Sequence, residues 1–312
     1  MNSQQKEELK DRLIKQLHAI NGSVFPLPGL INEDSYQVLS KQLVDSISRV
    51  AYVRNISNET HSIERANPDS VIFDPLRAAV IRRNQKQLDD ACWLVFLATH
   101  YGKSIQSNWL LARETYGAHP RRDSIWTWDA VAQDRDGFIT WYSEYYDAIS
   151  RDTLQRKFSN HRKYESLNPE KNKSSLDVIL SYSDWIIGYG SHKEMFENAR
   201  RMVGDDPRDI FDYIYKTMKV LRFGRMGKFD FLTMLGKLDL YNLEPKYAYI
   251  KNSTGPAAGC RKLFGNVTIN QIERNLSILD DKLDVGPMAK QVLEDAICNW
   301  QKSPQIYIKF RG

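Results

Sequence analysis

Between Lys216 and Lys228 the stretch KTMKVLRFGRMGK carries Lys216, Lys219, Arg222, Arg225 and Lys228 with no acid among them. Further on, KNSTGPAAGCRKLFG, from Lys251 to Gly265, gathers small residues around Gly255 and Pro256 and follows them with Arg261 and Lys262. Backbone amides near Lys251, Ser253, Thr254, Gly255, Ala257 and Gly259, backed by cations, suit a phosphate group. Two helices joined by such a loop, with Arg222, Arg225 and Lys228 beside them, have the parts of a DNA clamp. The plain alternative is a solvated helix face followed by an ordinary glycine-containing turn. The loop lacks the Gly-Lys-Ser/Thr ending of a nucleotide loop and the preceding strand of a dinucleotide fingerprint, so a free nucleotide ranks low.

Downstream lie the carboxylates Glu273, Asp280, Asp281, Asp284, Glu294 and Asp295. Breaking a base–sugar bond passes through an oxocarbenium-like state that a fixed carboxylate can offset. Asp284 is expected to cap the last helix, which holds it rigidly. Asp284 and Asp295 fall at helical steps along one edge of the apolar stripe, and Asp280 and Asp281 stay in contention. A helix cap and two solvent-facing acids explain the same residues equally simply.

A third group, LATHYGKS, ends an apolar helix with His100, Tyr101 and Lys103, types that stack on or hydrogen-bond an extruded base and hold its phosphate. A satisfied core histidine and a Gly102 helix cap read it as well. RRDSIWTWDAV sets Arg121 and Arg122 ahead of Trp126 and Trp128, which are base-stacking residues or, more simply, core. RDTLQRKFSNHRKY places Arg156, Lys157, His161, Arg162 and Lys163 on a solvated or phosphate-facing helix surface. No histidine or carboxylate spacing suggests a metal, and no cofactor is expected.

The elements that must position these residues read as helices almost throughout. Apolar residues recur at three- and four-residue steps over 5–19, 35–50, 75–100, 104–116, 136–165, 176–187, 192–203, 207–221, 228–239, 257–264 and 285–301. Turn signals fall at PLPG, NPDS, GDDP and DVGP. NPEKNKSS, from Asn168 to Ser175, is polar enough to join an N-terminal lobe (1–170) to a C-terminal lobe (171–312). The 312 residues carry 44 Lys+Arg against 39 Asp+Glu, a net charge of +5. That balance excludes a histone-like polycation and leaves partners to local clusters. Cys92, Cys260 and Cys298 are too scattered for a disulfide framework or a four-cysteine site. The charged N-terminus and the short apolar run ACWLVFLA predict a cytoplasmic protein outside the membrane.

WLVFLATHYGKS, FGRMGKFDFLTMLGKL, STGPAAGCRKLFG and VLEDAICNWQKSP together resemble the alpha-glutamyl/putrescinyl thymine pyrophosphorylase family, clade 3, a helical group similar to helix-hairpin-helix DNA glycosylases. The resemblance implies an all-α, two-lobed fold and a monomer that flips a modified base out of DNA, phage DNA above all. It implies one of two reactions. The first is N-glycosidic cleavage by a monofunctional glycosylase in anti-phage defence, with the hairpin at Thr254, Gly255, Pro256 and Ala257 and the acid at Asp284. The second is transfer, in which an amino acid or polyamine replaces an activated diphosphate on hydroxymethyluracil. No lysine stands in the hairpin, where Ala258 and Gly259 occur, and the hairpin-to-Asp spacing is longer than the glycosylase pattern.

Overall fold

The computed structural model describes residues 1–121 and 124–310, and among these every regular element is helical. In chain order they are α1 (Ser3–Ser23), α2 (Glu33–Asn58), α3 (Pro75–Asn84), α4 (Leu88–Tyr101), α5 (Leu110–Tyr116), α6 (Trp128–Gln133), α7 (Arg135–Ser150), α8 (Ser175–Ile187), α9 (His192–Val203), α10 (Pro207–Thr217), α11 (Arg225–Lys237), α12 (Gly255–Phe264), α13 (Ile269–Lys282) and α14 (Ala289–Trp300). Short 3-10 turns sit at Ile63–Arg65 and Asn160–Arg162. The all-α reading holds.

The chain divides into two compact units, Met1–Arg54 with Glu244–Gly312, and Asn55–Leu243. The boundary expected at 170/171 is therefore displaced. NPEKNKSS is no linker: it leads into α8, where the Ser174 hydroxyl and the Asp177 side chain form a reciprocal cap and both Ser174 and Ser175 are fully buried.

In the first unit α12 packs on α14 and α13 joins both. Leu13 and Leu17 of α1, Ile272 and Leu276 of α13, and Val292, Ala296 and Trp300 of α14 belong to one core. The start of α13 is set by a capping box, Thr268 with Gln271. The periodic segments of the sequence do not include α13, although Ile272, Leu276 and Leu279 keep helical spacing and are buried.

In the second unit α4 is central. Its residues from Ala91 to Leu97 are completely buried, as befits a helix apolar on every side. It packs against α3, α5, α6, α9 and α11. Gly102 ends it at φ +67°, and a Cβ there would run into Ser159, so both conformation and space call for glycine. Trp126 and Trp128 are core: the Trp93 indole donates to the Trp126 carbonyl at 2.8 Å, and the Trp128 amide donates to Asp90 Oδ1 at 2.9 Å. Arg121 pairs with Glu144 at 2.6 Å, whereas Arg122 lies outside the described residues. The helix expected through 165 stops at Ser150, and Arg151 to Glu165 is non-regular apart from one 3-10 turn.

Candidate functional site

The small-residue loop answers a packing need. A Cβ on Gly255 would lie 2.8 Å from Cys298 Sγ, and one on Gly259 would lie 2.6 Å from the Ile297 carbonyl oxygen. The two glycines are four apart on α12, so they form one bare stripe that lets α12 approach α14 closely. Two of the amides nearby are engaged, although the Thr254 side chain does not cap the start of α12. Ala257 N–H donates to Ser253 Oγ at 3.1 Å, and Ala258 N–H donates to the Thr254 carbonyl at 3.1 Å. Lys262 Nζ reaches the Gln301 carbonyl at 3.4 Å, while Lys251 and Arg261 are exposed. Residues 238–254 separate α11 from α12, and the two helices belong to different units.

Asp284 caps nothing. Met288, in the left-handed conformation at φ 59°, is the residue before α14, and the helix starts only at Ala289. The Asp284 carboxylate is 55% exposed and meets Arg12 Nη2 at 3.0 Å. Since Gly255 and Gly259 abut Cys298 and Ile297, roughly 13 Å of helix at 1.5 Å per residue separates that end of α14 from its start at Ala289. The loop therefore lies against the far end of α14 from the end that follows Asp284. Asp281 is exposed; Asp295 is held by Arg49 and by the Ser46 hydroxyl at 2.8 Å, a structural arrangement. Asp280 forms a buried ion pair with Lys290 at 2.6 Å.

The group at the end of α4 is also internal. His100 is 1% exposed, its Nε2 lies 2.6 Å from Ser175 Oγ, and burial, aided by Arg162 and Arg222, drives its pKa down to about 3. Tyr101 is fully buried, its hydroxyl oxygen accepting from Thr115 Oγ1 at 2.8 Å, and burial pushes its pKa up to about 12. Lys103 alone is exposed, 5.8 Å from the Trp109 ring. A base pocket lined by all three is not formed: the histidine and tyrosine support the core.

The basic patch fares differently. It forms the short connection 218–224 between α10 and α11 and the first turn of α11, a helical hairpin lying wholly within the second unit. Gly224 precedes α11 and no side chain caps that helix start. Such an end carries partial positive charge from its N–H groups. The cations of the patch divide by role. Arg222, at φ 57°, forms an ion pair with Glu165 (Nε to Oε2 2.7 Å) and donates Nη2 to the Tyr164 carbonyl at 3.2 Å. Lys228 Nζ donates to the Tyr215 carbonyl at 3.2 Å, and burial holds its pKa below the usual lysine range. Arg225 lies over the Phe229 ring at 5.7 Å.

Arg162, from the loop after α7, completes the hairpin. It is 8% exposed, stacks on Phe223 at 5.2 Å, and donates Nε to the Thr99 carbonyl at 3.3 Å. Its Nη2 is buried with no hydrogen-bond partner among the described residues, and a Cβ on Gly227 would come within 3.1 Å of it. A buried guanidinium nitrogen without a partner is costly, and a ligand oxygen would relieve it. One turn on, Asp230 lies on the same face of α11 as Gly227. Burial lifts the Asp230 carboxyl above its usual range even though Arg162, Lys237, His161 and Arg225 all pull it down, and burial likewise depresses Arg162. The arrangement offers a donor for an anionic oxygen beside a carboxyl that can take up a proton.

Sequence reasoning placed Arg222, Arg225 and Lys228 here but missed Asp230 and Gly227, and it set Arg162 on a surface helix. A signal was present: Asp230 is the first acid after the acid-free stretch, three residues from the second glycine of FGRMG.

The sequence pattern of the alpha-glutamyl/putrescinyl thymine pyrophosphorylase family, clade 3, matches residues 34–312, and the chain belongs to that family. No curated protein and no solved structure matches it. Membership ties the chain to the modification of thymine bases in DNA. These comparisons do not reach the helix-hairpin-helix glycosylases. No helix among the described residues is long and apolar enough to cross a membrane.

Proposed function

We propose that this protein performs group transfer on an activated thymine-type base in DNA, an amine displacing diphosphate from the exocyclic methylene carbon while the base–sugar bond stays intact. The observation that carries this reading is Arg162 Nη2, buried and unpartnered over Gly227, with Asp230 one turn away on the same helix. In the reaction the methylene C–O bond breaks and its electron pair leaves with diphosphate, whose charge Arg162 and the uncapped start of α11 receive. The amine nitrogen forms the new C–N bond, and its proton passes to Asp230. A carboxyl whose pKa is raised by burial holds an accepted proton more firmly than an ordinary one. A cationic setting suits a departing anion and opposes an oxocarbenium ion. Asp284 is exposed and paired with Arg12, which does not favour it as the fixed acid that cleavage needs. In this reading the substrate is phage DNA, met by a monomer in the cytoplasm.

The test uses an oligonucleotide carrying a diphosphate ester of hydroxymethyluracil, with putrescine or glutamate supplied. Nucleoside mass spectrometry should show the aminated base together with released pyrophosphate. Arg162→Lys and Asp230→Asn should each slow turnover by about 10² to 10³, the loss seen when one oriented charge-stabilising group is removed. Free base with alkali-labile strands would put a glycosylase in its place, and unchanged nucleosides would reject both.

A further inference from the structure

The loop that carries Arg162 also presents Tyr164, whose aromatic side chain is 79% exposed. A single exposed aromatic residue is unremarked on most surfaces. This one is held in a particular place. Its carbonyl accepts from Arg222 Nη2 at 3.2 Å, the next residue, Glu165, pairs with Arg222 Nε at 2.7 Å, and the Glu165 amide closes a turn on the Arg162 carbonyl at 2.9 Å. Arg222 is followed by Phe223 and Gly224, so the loop that carries Tyr164 is tied to the segment that leads into α11. The neighbouring Lys163 Nζ stands over the Tyr164 ring, 5.1 Å from its centroid. A ring with a cation at one face is suited to a base at the other and to a phosphate beside the ammonium.

We infer that Tyr164 is a stacking platform for a base on the nucleic-acid strand, with a strand phosphate beside the Lys163 ammonium. This rests on the proposed action on DNA and adds a contact that no part of the reaction requires. Every base has a π-face, so the platform holds the strand without reading its modification. The tyrosine hydroxyl takes no part; the ring does.

The experiment measures binding of a fluorescent, unmodified single-stranded oligonucleotide by anisotropy, across a series of salt concentrations, for the full chain and for Tyr164→Ala and Tyr164→Phe. Loss of one base–aromatic stack should weaken binding about tenfold. The slope of log affinity against log salt should not change, because no phosphate contact is lost. Tyr164→Phe should bind within about twofold of the parent, since the ring is kept. Equal affinity of parent and Tyr164→Ala would overturn the inference alone. So would a shallower salt slope for Tyr164→Ala, or a Tyr164→Phe as weak as alanine. Failure of the parent chain to bind any DNA at low salt would instead overturn the proposed action on DNA, and the platform with it.

Discussion

His100 supplies the prediction that the structure quantifies best. It is buried at the end of α4, bonded to Ser175, and its folded pKa stands near 3 against about 6.5 in an unfolded chain. As pH falls the unfolded chain takes the proton first, so the stability tied to neutral His100 is whole above pH 6.5 and is lost as pH drops toward 3. The slope approaches about 1.4 kcal/mol per pH unit within that window, and between pH 7 and pH 5 the loss integrates to about 2 kcal/mol. His192, also fully buried and depressed by burial, adds a loss of the same sign. Asp90 and Asp230, raised by burial, act in the opposite direction, so the parent alone cannot isolate the histidine. The variant His100→Gln can, because it keeps a side-chain amide near Ser175 and removes the titration. Urea midpoints followed by tryptophan fluorescence at pH 5, 6 and 7 should show the parent losing about 2 kcal/mol more than His100→Gln over that range. Parallel profiles for the two proteins would mean that His100 is not held neutral by burial, and the internal placement of that side chain would be wrong.

Three further outcomes follow from other contacts. Gly259→Ala drives a methyl group against the Ile297 carbonyl, so thermal or urea unfolding should show a loss of about 1 to 3 kcal/mol, whereas a loop kept open for ligand would tolerate the methyl and lose only binding. Lys290→Met removes the ammonium from buried Asp280 and should cost about 3 to 5 kcal/mol in the same assay; a near-neutral result would show that the pair is not closed. Asp284→Asn should leave turnover of modified DNA within about twofold, as for a surface change away from the reacting groups, and a collapse in rate would return the reaction to Asp284.

Local pattern carried most of the helices. α9, with Met195, Phe196 and Ala199 buried, and α10, with Ile210, Phe211 and Ile214 buried, are each written in a run of neighbouring residues, and so is the buried α4. α13 was equally legible in its capping box and its apolar spacing, yet it stands outside the expected segments. The start of α14 was not legible: Asp284 and Pro287 have the residue types of a helix entrance, but Gly286 at φ +70° and Met288 at φ 59° delay it.

By itself the sequence determined an all-helical chain, a cationic stretch at 216–228 and membership in one family, because helix periodicity, local charge and ordered motifs are properties of neighbours along the chain. Only the tertiary structure decided that Met1–Arg54 and Glu244–Gly312 share a unit, that Gly255 and Gly259 serve the approach of α14, and that Arg162 comes to rest over Gly227 with Asp230 alongside. Those are contacts between residues far apart in the chain. Burial, which strands a guanidinium nitrogen and lifts a carboxyl's pKa, exists only once the chain has closed around them.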